Sequence, residues 1–87
     1  MSEFLIKNYI SKLSLSEIDE FSKKQGLSLD DDELNIIYNY IKNDWHTIIY
    51  GNPRPILDDL KSKIDEYSYQ RIEKLYVEFK NKYKNYL

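Results

Sequence analysis

A chain of 87 residues with 41% hydrophobic and 32% charged side chains can build one hydrophobic core, and its balance is that of a globular chain rather than a disordered one. Two glycines and two prolines are too few turn-formers for a many-stranded β fold, which leaves an all-α single domain over residues 1–87, a bundle of four to five helices. A net charge of −2 gives no reason for an acidic polymer as obligatory partner, and the lack of cysteine excludes disulfide and thiolate–zinc frameworks.

The first helix is expected from Ser2 or Glu3 to Lys12, with Ser2 as N-cap and Leu5, Ile6, Tyr9, Ile10 and Leu13 on one face. Ser14 and Glu17 then stand at capping-box spacing and open a second helix, Leu15 to Gln25, with Leu15, Ile18 and Phe21 inward. Gly26 supplies the left-handed residue that ends it, and Leu27 tucks back over the end. Asp30 and Glu33 repeat the capping box, and the acids of Asp30–Asp31–Asp32–Glu33 suit the positive end of a helix dipole. The third helix carries Leu34, Ile37, Tyr38 and Ile41 on one stripe and Ile36 and Tyr40 on a second, the pattern of a central helix.

Asn43–Asp44 is expected to break that helix, with a short helical turn around Thr47 to Tyr50 and a stop at Gly51. Asn52 then caps a helix from Pro53 to about Lys63, with Ile56, Leu57, Leu60 and Ile64 inward. The closing stretch, Tyr69 to Leu87, spaces Tyr69, Ile72, Tyr76, Phe79, Tyr83 and Tyr86 by threes and fours, with Leu75 widening the stripe. It reads as the longest helix and the spine of the bundle, buried along Ile72, Leu75, Tyr76 and Phe79. The chain has nine tyrosines and no alanine. AT-biased codon usage accounts for that bias, and a buried Tyr needs a partner for its hydroxyl, so several belong at the edge of the core.

The KKQGL connector, the acid-started helix ending in YIKNDW, the segment IIYGNP, the helix ILDDLKSKI and the closing YQRIEKLYVEFKNKY resemble a YqfT-like family of short cytosolic proteins of Bacillus-like Gram-positive bacteria. The likeness covers nearly the whole chain, but these motifs are structural punctuation. The resemblance implies an all-α fold and brings no activity, cofactor or site residue with it.

Catalytic chemistry finds little here. The one histidine, His46, has no second His or Cys with which to share a metal. The run Asp30–Asp32 lacks the spacing of a calcium loop, and the two glycines, Gly26 and Gly51, are too far apart for a phosphate loop. No catalytic residue, metal ligand or cofactor is assigned, and an enzyme is not expected. The first turn of the third helix is acidic where a helix-turn-helix reader would approach phosphates, so that motif is electrostatically wrong. A nucleic-acid alternative rests on Arg71, Lys74, Lys80, Lys82 and Lys84 of the last helix. A coiled-coil dimer is disfavoured, because the stripe is short and aromatic.

The N-terminus lacks a signal-peptide run and no window has the ~20 apolar residues of a membrane span, so a cytoplasmic chain without a membrane partner is expected. What remains is protein recognition, by a monomer or homodimer whose partner the sequence does not name. Trp45, Tyr50 and Arg54 lie in one segment, Trp45 to Pro55, ended by Gly51 and stiffened by Pro53 and Pro55, and their residue types anchor interfaces.

Overall fold

The computed structural model describes residues 3–85. Among them are five helices and no strand: α1 Glu3–Lys12, α2 Leu15–Lys24, α3 Asp31–Tyr50, α4 Arg54–Lys63 and α5 Glu66–Tyr83. Ser2 as N-cap and Tyr86 on the last stripe fall outside the described residues.

Local chemistry places most helix ends. The Glu17 amide donates to Ser14 Oγ at 3.1 Å and the Ser14 amide to Glu17 Oε1 at 3.3 Å, a closed capping box. Asp30 and Glu33 form the second box at 2.8 and 3.1 Å. At the end of α2, Gly26 takes φ +78°, its amide bonds Lys23 O at 3.1 Å, and the Leu27 amide reaches back to Ser22 O at 3.0 Å. Those two bonds define a Schellman cap, and Leu27 is buried beneath it. Asp65 caps α5, accepting from the Ser68 amide at 2.9 Å, and the Asp65 amide donates to Glu33 Oε2 at 3.2 Å. One carboxylate, Glu33, thus serves the starts of two helices.

Several expectations need correction. The expected break of the third helix falls at Asp44, one residue beyond Asn43, where the backbone is non-helical (φ −124°, ψ 17°). Two helical stretches, 31–43 and 45–50, meet at this kink, since Asn43 and Asp44 favour turns while Trp45, Ile48 and Ile49 renew the apolar stripe. The kink divides the 20 residues of α3, so α5, with 18, is the longest uninterrupted helix among the described residues. The cap of α4 shifts by one residue to Pro53, with Asn52 Oδ1 accepting from the Arg54 amide at 3.1 Å and Pro55 in the first turn. The last helix starts at Glu66, upstream of Tyr69.

Helix α3 packs on α1, α2 and α4, which makes it central, and α5 packs chiefly on α4. The core cluster is Leu57, Leu60 and Ile64 with Tyr69, joined by Ile36, Ile37, Ile72 and Tyr76. Ile6, Ile18, Leu27 and Leu34 are the buried apolar residues from α1 to α3. Of the four residues expected to be buried along α5, Ile72, Leu75 and Tyr76 are half-buried and Phe79 is 36% exposed, while the buried residues of α5 are Ser68 and Tyr69 near its start. Its 18 residues span about 27 Å, whereas the ten of α4 span about 15 Å, so the end of α5 overhangs its support. Phe21 is also turned out, at 58% exposure, because Ile18 and Ser22 form the contact line of α2. Leu5 and Tyr9 are exposed on α1, leaving Ile6 buried and Ile10 and Leu13 half-buried.

Side-chain cations from distant helices close three helix C-termini. Lys42 Nζ donates to Ile10 O, Ser11 O and Leu13 O at 2.9, 3.0 and 2.9 Å, at the end of α1. Arg71 Nε donates to Gln25 O at 3.2 Å, the last carbonyl of α2. Lys80 Nζ donates to Ile49 O at 2.8 Å, beside the Tyr76 hydroxyl on Ile48 O at 3.3 Å. Each cation lies at the negative end of a helix dipole; Ile10 O also accepts from the Leu13 amide at 3.1 Å, so Lys42 takes its second lone pair.

Candidate recognition surface at the kink of α3

Beyond Asp44 the distal half of α3 presents an aromatic row. Trp45 and His46 meet edge to face with ring centroids 5.4 Å apart, and the His46 and Tyr50 centroids are 5.1 Å apart. Tyr50 follows His46 by four residues, one helical turn on the same face. His46 Nε2 bonds Glu3 Oε1, which ties this row to the first turn of α1. Between the two helices lies an open concavity of about 360 Å³ lined by Glu3, Phe4, Lys7, Trp45 and His46. Phe4 is 74% exposed on its wall, while Trp45 and Tyr50 are half-buried.

Of the residues singled out at the junction, the structure brings Trp45 and Tyr50 together through His46 and turns Arg54 to another task. Arg54 Nη2 donates to the Tyr69 hydroxyl at 2.9 Å and to Glu73 Oε2 at 3.3 Å, and Arg54 Nε pairs with Asp58 Oδ1 at 3.3 Å. The Tyr69 hydroxyl donates in turn to Glu73 Oε2 at 2.7 Å. The bond to Glu73 raises the Arg54 pKa. Burial, followed by the bond to Glu73, pushes the Tyr69 hydroxyl up, and the bonds from Tyr69 and Arg54 hold Glu73 below its ordinary value. Arg54 therefore joins α4 to α5.

The basic residues of the last helix and its C-cap differ in their surroundings. Arg71 and Lys80 are engaged on backbone carbonyls. Lys74, Lys82 and Lys84 are exposed, with Lys82 Nζ 5.4 Å from the Tyr83 ring centroid. Asp30 and Glu33 cap α3, as their spacing implies. Among the described residues no group of three His, Cys, Asp or Glu side chains could hold a metal ion, and no helix is long and apolar enough to cross a membrane.

Sequence reasoning missed Glu3, Phe4 and Lys7 as neighbours of Trp45, because they lie 38 to 42 positions away in the chain. The four-residue step from His46 to Tyr50 was the one local sign that the histidine belongs to the row. No family model, curated protein or solved structure matches this chain.

Proposed function

We propose that this chain is a small, non-catalytic cytoplasmic module that binds another protein at the α1–α3 shoulder, where the Trp45–Pro55 junction meets the first turn of α1. The observation that supports this reading is the aromatic-walled concavity between Phe4 and Trp45, with Lys7 and Glu3 at its rim. An apolar side chain of the partner enters the concavity, flanked by polar groups that pair with Lys7 and Glu3. Such an arrangement, an apolar centre with a charged rim, is that of a recognition patch. The surface extends along His46 to Tyr50. Arg54 is left to the scaffold. Nucleic acid is the weaker reading, since two of the five cations it needs are engaged on helix ends.

The test is capture from the source cell followed by direct titration with the purified partner. Wild type binds, and Phe4→Ser/Tyr50→Ala loses at least tenfold in affinity while keeping its circular dichroism. Equal binding by the folded double variant overturns the proposal.

A further inference from the structure

A second concavity lies inside the bundle, between α3, α4 and α5, and shares no lining residue with the shoulder. Its volume is about 130 Å³ and its wall is apolar, built on Ile37, Ile41, Ile48, Ile56, Leu60 and Ile72. Leu57, Pro53 and two tyrosines complete the wall, and both hydroxyls are directed at partners: Tyr40 donates to Asp59, and Tyr76 donates to Ile48 O at 3.3 Å. The exposed wall is wholly apolar, so a water placed there lacks the two to four polar partners it needs. Nor does the space close readily. Five of the lining residues are isoleucines, β-branched and stiff at χ1, and cannot swing in to fill it. Only Leu57 and Leu60 of the lining are buried and the other eight residues are half-buried, so the concavity is open on one side and a guest enters without unfolding the bundle.

We propose that this cavity is a binding site for a small uncharged apolar molecule, a single aromatic ring or a branched aliphatic of about six heavy atoms. The size follows from the volume, since a dry apolar cavity of about 150 Å³ accepts benzene. Recognition is by shape and dispersion alone. A polar substituent on the guest loses its hydration and gains no partner, and therefore weakens binding.

The experiment is a methyl-resolved NMR titration of the whole chain with benzene, toluene and naphthalene. Benzene and toluene should shift the methyls of Ile37, Ile41, Ile48, Ile56 and Ile72 saturably, with a Kd on the order of 1 mM. Naphthalene, with ten carbons, should not saturate them. The cavity-filling variant Ile56→Phe should remain folded and lose the benzene response. Linear shifts spread over the exposed methyls of Leu5 and Val77 overturn the proposal, as does an equal response to all three guests. Should Ile56→Phe fail to fold, the size series on wild type still decides.

Discussion

Replacing Lys42 by methionine isolates the contribution of the cation at the end of α1. Methionine keeps an unbranched apolar stem of similar length, so packing along α3 is largely preserved while three donated hydrogen bonds are lost. Hydrogen bonds from a charged group each contribute about 1.5–3 kcal/mol, but these three share one ammonium and do not add. The bond to Ser11 O is exposed, and water replaces it readily. The bonds to Ile10 O and Leu13 O are part-buried, and a cation at a partly buried helix C-terminus contributes up to about 2 kcal/mol. The expected loss is about 2–3 kcal/mol, or a fall in Tm of roughly 10–20 °C for a domain of this size. Helix α1 has one buried apolar residue, Ile6, so local opening should accompany the global loss. Urea melts followed by circular dichroism measure the first effect, and faster amide exchange confined to α1 measures the second. A loss below about 0.5 kcal/mol with α1 exchange unchanged would refute the reasoning.

Truncation should separate the two ends of the spine: Leu60→Ala costs about 2–5 kcal/mol, whereas Phe79→Ala costs less than half the ~3–5 kcal/mol of a buried phenylalanine, and equal losses in thermal melts would mean that α5 does not overhang α4. Acid should destabilise the fold through Glu73 and Asp65, whose pKa values lie below their ordinary 4.5 and 3.8 because of bonds from Tyr69 and Arg54 and from Ser68 respectively. Their stabilisation is present above those ordinary values and disappears as pH falls through the lower folded ones, so Glu73→Gln/Asp65→Asn should flatten the acid limb of Tm against pH. Tyr69 behaves in the opposite sense: its raised pKa contributes stability below the ordinary value of 10.0 that is lost as pH rises past it, and Tyr69→Phe should remove its share of that alkaline decline. Duplex DNA and single-stranded RNA should bind no tighter than about 10⁻⁴–10⁻⁶ M near 150 mM salt, and a sub-micromolar Kd in a fluorescence titration would restore the basic face of α5 as a site.

Two helix starts and one helix end were legible because they are local: Ser14 with Glu17, Asp30 with Glu33, and Gly26 before Leu27 act over a few residues, and each forms the cap its spacing implies. Burial was legible only where one helix lies fully on another. Periodicity identifies the faces on which Phe21 and Phe79 stand but not how far a neighbour extends along them, and both rings end up outside. The kink at Asp44 was legible to within a residue, since the turn preference of Asn43–Asp44 interrupts the helical backbone there and the apolar stripe resumes at Trp45. Of the site, the aromatic types in Trp45–Tyr50 were visible, whereas the facing wall at Phe4 depends on where α1 docks. Arg54 was chosen for its residue type, and its geometry on Tyr69 and Glu73 could not be inferred from neighbours in the chain.

The order in which the helices touch bears on how quickly the molecule forms. The pairs α2–α3, α3–α4 and α4–α5 are successive in the chain, and α1–α3 skips a single element. Few long loops must therefore close before packing begins to repay their entropy, and helical proteins with such local connectivity fold in microseconds to milliseconds. Among the described residues, the hydrogen bonds of Arg71 with Gln25 O and His46 with Glu3 join positions 46 and 43 residues apart, and such long-range side-chain contacts are expected to close late. Mutations there should accelerate unfolding while leaving the refolding rate almost unchanged.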